Sequence, residues 1–110
     1  MKTFIYNQTK KNWLVTTPEG EAFISELNPL QYYAMEVNDL HNILLQVVLK
    51  KYNYLSLGEV SLWLNDVNLG AEAQIVIDWY ITTYKQVEAH LATVTDYQDP
   101  TIFIATIDLI

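Results

Sequence analysis

The stretch GAEAQIVIDWYITTYKQVEAHLATV, residues 70–94, has the pattern of one amphipathic helix, and we expect the fold to be organised around it. At about 100° per residue its apolar side chains fall on one stripe and polar side chains on the opposite side. Glu72 in the first turn and His90 near the end match the polarity of the helix dipole. The predicted core stripe consists of Ala73, Val76, Ile77, Tyr80, Tyr84, Val87, Leu91 and Val94.

Three residues of this helix lie off the stripe and form a second, smaller patch: Ile75, Trp79 and Thr83. Patches of this kind often mark a surface that binds a partner. The alternative is that another helix of the same chain covers the patch, which the high average burial of Trp favours. We therefore take these three residues as the candidate partner-binding site, with internal cover as the competing interpretation.

The N-terminal part, residues 1–27, has the composition of a β-meander. Thr3–Tyr6, Trp13–Thr17 and Glu21–Ser25 are rich in β-branched and aromatic residues. The sequence Thr17-Pro18-Glu19-Gly20 suits a turn, with Pro at its second position and Gly at its fourth. These features predict three antiparallel strands. The sequence leaves open whether the strands pack on the helices or on a partner.

Residues 28–110 are predicted to be helical and to complete one α+β domain of residues 1–110 with three to four helices. Asn28-Pro29 predicts a helix start, and the helix should continue to about Tyr52 with a break allowed at residues 38–39. Two short helices are expected over 56–64 and 99–105, since a capping-box sequence and an Asp-Pro pair precede them.

Composition narrows the classes of partner. The net charge is −7, the six basic residues are all Lys, and there is no Arg. An acidic chain without Arg is a poor candidate for binding nucleic acid or an anionic membrane. Cysteine is absent, which excludes disulfides and Cys-based zinc sites. We expect no signal peptide and no membrane span, because no apolar stretch is long enough, and so expect synthesis in the cytoplasm.

No pattern of a catalytic or cofactor site is present. The two histidines, His41 and His90, lack partners at metal-ligand spacing, and we expect surface or helix-capping roles for both. The three glycines are isolated, so no phosphate-binding loop is predicted, and no serine has a nucleophile signature. We expect no catalytic residues, no cofactor and no metal, and therefore a protein that is not an enzyme.

Residues 40–110 resemble a family of small tailed-bacteriophage proteins found among tail and tail-fibre-assembly components. The resemblance depends on the order of these features: Lys51-Tyr52, Tyr54–Ser56, Glu59–Trp63, Ala71-Glu72-Ala73-Gln74, Trp79, and Pro100-Thr101 before an Ile/Leu-rich ending. The family has Trp-Arg and a second Trp where this chain has Trp79-Tyr80 and Tyr84. The resemblance implies a structural or chaperone-like protein that binds a tail-fibre or other tail protein.

Two functional hypotheses follow from these observations. The first is a non-enzymatic interaction protein of a phage or prophage tail, made in the host cytoplasm and either released after assembly or built into the virion tail. The second is an acidic inhibitor, such as an immunity or anti-defence protein, that binds a basic target. Binding of such an inhibitor should weaken steeply with salt. The sequence leaves open whether the protein forms a homo-oligomer.

Overall fold

Three antiparallel strands precede four helices in the computed structural model, which describes residues 1–110. The elements are β1 (Thr3–Asn7), β2 (Asn12–Thr16), β3 (Ala22–Ser25), α1 (Pro29–Lys51), α2 (Leu57–Leu62), α3 (Gly70–Leu91) and α4 (Pro100–Ile104). The strand order β1-β2-β3 is a meander, so the predicted α+β class is confirmed. The molecule is 60 Å long and 24 Å across, because the sheet lies beyond the end of the helical part at which α1 begins.

Two short turns connect the strands. In the first turn, the side-chain oxygen of Asn7 accepts hydrogen bonds from the backbone N–H groups of Thr9 and Lys10 at 3.0 and 3.1 Å. The second is the predicted turn, in which the Gly20 N–H donates to the carbonyl oxygen of Thr17 at 3.0 Å. Gly20 has a φ of 85°, a value that glycine adopts without steric cost.

Capping side chains begin α1, α2 and α4 where the sequence predicts them, whereas α3 begins after Leu69 without a side-chain cap. The Asn28 side chain accepts a hydrogen bond from the Gln31 N–H at 2.8 Å, and the Gln31 side chain accepts one from the Asn28 N–H. Ser56 and Asp99 cap α2 and α4 through bonds from backbone N–H groups two or three positions later. The allowed break at residues 38–39 does not occur, since both side chains are exposed on an unbroken α1.

The core of the helical part lies between α1 and α3, which run antiparallel. Its buried apolar residues are Tyr33, Val37, Leu45, Val48, Leu49, Val60, Ala73, Val76, Trp79, Val87 and Ile107. The buried side of α3 is turned toward Trp79 and Thr83 relative to the predicted stripe. Tyr84, which was predicted to lie in the core, is 45% exposed, so this assignment is wrong.

The sheet packs on the helices through a cluster of aromatic and charged residues. The ring of Phe4 lies 5.5 Å from the ring of Tyr32 and 4.7 Å from the ring of Tyr97. Lys2 forms a 2.7 Å ion pair with Glu36, and the Tyr97 hydroxyl donates to the same carboxylate at 2.5 Å. Burial, together with this hydrogen bond, raises the pKa of Tyr97. The helical part therefore covers the inner face of the sheet in part: Val15 is fully buried, whereas Tyr6 and Phe23 on the same face are 46% and 36% exposed.

Candidate functional site

The predicted site residues Ile75, Trp79 and Thr83 line one surface groove of about 410 Å³ between α3 and the residues after α4, 105–110, which we call the C-terminal segment. They differ in how much of the side chain a partner can reach. Ile75 is 50% exposed, whereas Trp79 and Thr83 are 7% and 3% exposed. The structure thus brings the three residues together, but only Ile75 presents substantial surface.

The C-terminal segment covers Trp79. The indole N–H donates a 2.8 Å hydrogen bond to the backbone carbonyl of Asp108, and Ile107 is buried in the same core. The bond satisfies the one polar atom of the indole, so the ring can be buried without an unpaired donor. The cover therefore comes from within the chain, although from an irregular segment and not from a helix.

Thr83 is held by a buried histidine. His41 Nε2 lies 2.8 Å from the Thr83 hydroxyl, which itself donates to the carbonyl of Tyr80 at 3.2 Å. Since the hydroxyl hydrogen is used there, Nε2–H of His41 is the donor in the first bond. The His41 ring also stacks on Tyr80 at 5.5 Å, and burial lowers its pKa. The predicted surface or capping role of His41 is wrong, because this side chain joins α1 to α3.

His90 occupies the last turn of α3, where the sequence places it. Its Nε2 lies 2.7 Å from the Tyr33 hydroxyl, and its ring stacks on Phe103 at 3.9 Å. The side chain therefore joins α1, α3 and α4. Both histidines are accounted for by contacts between helices.

The largest groove, of about 590 Å³, lies between the sheet and the helices. Aromatic rings and acidic side chains line it, and the carboxylates are those of Glu19, Glu21, Glu36 and Asp99. The ammonium group of Lys2 is 5.3 Å from the centre of the Tyr32 ring, and it forms the one ion pair of the protein. The groove therefore has a negative rim that is only partly neutralised.

The sheet face that points away from the helices is apolar and uncovered. Ile5, Leu14 and Ile24 are direct cross-strand neighbours there, and they are 63%, 38% and 59% exposed. The other strand residues on this face are Thr, Asn or Ala, so it carries no charged side chain. We call the row formed by Ile5, Leu14 and Ile24 the outer sheet face.

The outer sheet face was missed in the sequence, although a signal was present. The strands contain unbroken apolar runs, Phe4-Ile5-Tyr6 and Trp13-Leu14-Val15. In a sheet with one solvent-exposed face, apolar and polar residues instead alternate along each strand. Such runs are typical of strands covered on both faces. Here the helical part covers one face in part, and the second face is left exposed.

Neither a metal centre nor a membrane helix is found in the structure. No group of three or more His, Asp and Glu side chains could hold a metal ion, and none of the four helices combines the length and apolar character needed to cross a bilayer. Comparison with known proteins gave no match to a family model, a curated protein or a solved structure. The resemblance to phage tail proteins therefore rests on the residues of this chain alone.

Proposed function

We propose that this protein is a non-enzymatic interaction protein of a phage or prophage tail that binds a tail-fibre or other tail protein through the outer sheet face. It is either a fibre-assembly chaperone or a small virion component. The observation that carries the binding role is the uncharged apolar row of Ile5, Leu14 and Ile24. The order of motifs in residues 40–110 supports the assignment to a tail.

Burial of the outer sheet face would contribute substantially to binding. Full burial of one large aliphatic side chain is worth about 1.5–3 kcal/mol, so covering the exposed parts of these three is worth about 3 kcal/mol. The chain buries only 18 of its 110 residues and exposes 20 large hydrophobic ones, so apolar surface for a partner is abundant. Because no charge lies on the outer sheet face, this binding should depend little on salt.

The test is a co-purification with the proteins encoded beside this one. The tagged protein would be expressed with these neighbours and washed at low and at high salt. A complex with a fibre or baseplate protein that survives high salt supports the proposal. If this protein is present in purified virions, it is a virion component; if it is absent from them, it is a chaperone.

Matched variants connect the complex to the surface. Ile5→Thr with Ile24→Thr keeps β-branched side chains in the strands but removes apolar surface, and we expect it to abolish capture. The control is Leu62→Ser with Val67→Ser, which changes two residues that are 77% and 98% exposed at the other end of the molecule. Circular dichroism would check the fold of both. If the control variant loses capture while the variant with Ile5→Thr and Ile24→Thr keeps it, the proposal is contradicted.

A second candidate function is an acidic inhibitor of a basic protein. The groove lined by Glu19, Glu21, Glu36 and Asp99 favours it, since this groove offers negative charge beside aromatic rings to a Lys or Arg side chain. Binding in the groove should weaken steeply as salt rises, and Glu19→Gln with Glu21→Gln should reduce it. Capture of a basic non-tail protein that is lost at high salt would favour this candidate over the tail protein.

A further inference from the structure

The outer long edge of β1 has no partner strand in this chain. β1 is the first strand of the order β1-β2-β3, so it pairs on one side only. The Thr17 N–H donates a hydrogen bond to the Glu21 carbonyl at 2.8 Å, which fixes the phase of the ladder between β2 and β3. Hydrogen-bonded pairs alternate along an antiparallel ladder, and this pair continues the register of these two strands. The backbone of Leu14 is therefore bonded to Ile5 of β1 and not to Ile24 of β3.

The same alternation turns the backbone groups of Phe4 and Tyr6 outward. Since Ile5 directs its N–H and C=O groups toward β2, the residues before and after it direct theirs to the open edge. None of the backbone hydrogen bonds made outside the helices and strands involves Phe4 or Tyr6. Two N–H donors and two C=O acceptors are therefore available, at the spacing that one strand presents to another.

The edge of β1 lacks the features by which natural sheets block such pairing. Proteins guard open edges with proline, charged side chains or a β-bulge. The strand Thr3–Asn7 contains no proline and no charged residue, and its register with β2 is continuous. The charge next to it in sequence, on Lys2, is engaged by Glu36 of α1. The edge of β3 is better guarded, because Glu21 and Glu26 flank its four residues.

Side chains on both faces of this edge are exposed where an added strand would cover them. Ile5 is exposed on the outer sheet face, and Tyr6 is exposed on the inner face. The Tyr6 ring contacts the Trp13 ring at 4.9 Å, whereas the aromatic contacts from the sheet to the helical part start from Phe4 and Phe23. An added strand would place one residue beside Ile5 and another beside Tyr6.

We propose that β1 binds an extended segment of the partner protein, which joins the sheet as a fourth strand antiparallel to β1. This binding mode rests on the proposed function, since it describes how the tail partner is held next to the outer sheet face. The backbone groups of Phe4 and Tyr6 form four hydrogen bonds with the segment, and the side chains of the segment supply the selectivity. The antiparallel direction is assigned because this pairing is slightly more stable per residue than the parallel one.

The edge specifies the chemistry of the added segment. The residue opposite Ile5 lies in a non-hydrogen-bonded pair, where side chains approach closely, and it extends the row of the outer sheet face, so it is a large apolar residue. The residue opposite Tyr6 lies against an aromatic ring and is apolar or aromatic as well. Because β1 carries no charge, the middle of the segment is uncharged. The net charge of −7 opposes pairing with a second copy, so a different protein supplies the segment.

Amide hydrogen exchange, followed by NMR on the isotope-labelled full chain, tests this mode residue by residue. In the free chain the N–H groups of Phe4 and Tyr6 should exchange faster than that of Ile5, which is bonded to Leu14. In the complex with the captured tail protein, exchange at Phe4 and Tyr6 should slow about tenfold or more, because both N–H groups become hydrogen-bonded. The outward N–H groups of β3 should exchange as they do in the free chain.

A synthetic peptide examines the edge without any tail protein. The probe is the capped peptide Lys-Thr-Val-Ile-Val-Thr-Lys, which offers three apolar residues in an extended segment. The matched control is Lys-Thr-Pro-Ile-Pro-Thr-Lys, which has the same charge but lacks the two N–H groups that would face β1. The probe should slow exchange at Phe4 and Tyr6, and the control peptide should not.

Proline substitutions in the protein separate the two edges of the sheet. Tyr6→Pro removes an N–H group that points to solvent in the free chain, so the sheet should persist while capture of the partner falls about tenfold or more. Tyr6→Thr keeps this N–H group and has a β-branched side chain, so it should lose less. Ala22→Pro is the matched control, since it removes an outward N–H group from β3, and it should leave capture unchanged. Circular dichroism would check the fold of all three variants.

The outcomes separate strand addition from the proposed function. A tail complex in which Phe4 and Tyr6 exchange as fast as in the free chain overturns strand addition and leaves the proposed function standing. Slow exchange on the edge of β3 instead also overturns it. Slow exchange at Phe4 and Tyr6 in the free chain as its concentration rises overturns it in favour of a second copy. If no tail protein is captured but the probe peptide binds to β1, the proposed function fails and strand addition stands. If neither binds, both are overturned.

Discussion

Replacing Trp79 tests whether the C-terminal segment covers α3 as the structure describes. The ring is 7% exposed and its N–H bonds to Asp108. Truncation of a buried Trp to Ala typically costs 3–5 kcal/mol, so we expect Trp79→Ala to lower the free energy of unfolding by about 4 kcal/mol. Small proteins have a total of only about 5–15 kcal/mol, and the variant should therefore be close to unfolded or strongly destabilised.

Urea denaturation followed by circular dichroism measures this loss. With an m-value of about 2 kcal/mol per molar urea, the midpoint of Trp79→Ala should fall by about 2 M. Trp79→Phe removes the hydrogen bond and part of the ring but leaves most of the apolar contact, so about half of that shift is expected. Trp63→Ala is the matched control, because Trp63 is 38% exposed and should cost less.

An unchanged midpoint for Trp79→Ala would refute the packing of the C-terminal segment. The ring would then lie open, and the interpretation of Ile75, Trp79 and Thr83 as a partner site would regain its support. If the midpoint falls as expected, partner binding by the groove should instead be examined with Ile75→Ser, since Ile75 is half-exposed.

Four other perturbations have defined outcomes. Burial lowers the pKa of His41 below its ordinary value of about 6.5, so the free energy of unfolding should be constant above pH 7 and fall by up to about 1.4 kcal/mol per unit as pH drops below 6.5. Urea titrations between about pH 5 and 8, a range that brackets the ordinary histidine pKa of about 6.5, should show this slope, and His41→Gln should remove it. Gly70→Ala should destabilise by about 1–3 kcal/mol, because the new Cβ would lie 2.6 Å from the carbonyl oxygen of Leu64. Gly58→Ala, whose new Cβ would have its nearest contact at 3.6 Å, should instead stabilise by up to about 1 kcal/mol, and thermal melts of the two glycine variants would measure both changes. Asn28→Ala should cost about 1 kcal/mol through the lost cap of α1, seen as a lower melting temperature.

Helix starts and turns could be predicted from the sequence because they depend on neighbouring residues. The Asn28-Pro29 start of α1 and the turn ending at Gly20 lie where the sequence predicts them. Each depends on a side chain or a φ value within three or four positions. The strand order of the meander follows for the same reason, since short turns leave adjacent strands little choice of pairing.

Contacts between residues far apart in the sequence could not be predicted in this way. His41 is buried because Thr83 lies opposite it, 42 positions along the chain. Tyr84 is exposed because the C-terminal segment packs on the other side of α3, against Trp79. Apolar residues lie around so much of the circumference of α3 that the helical period is compatible with several choices of buried side. The elements that pack on the helix therefore decide which side becomes core.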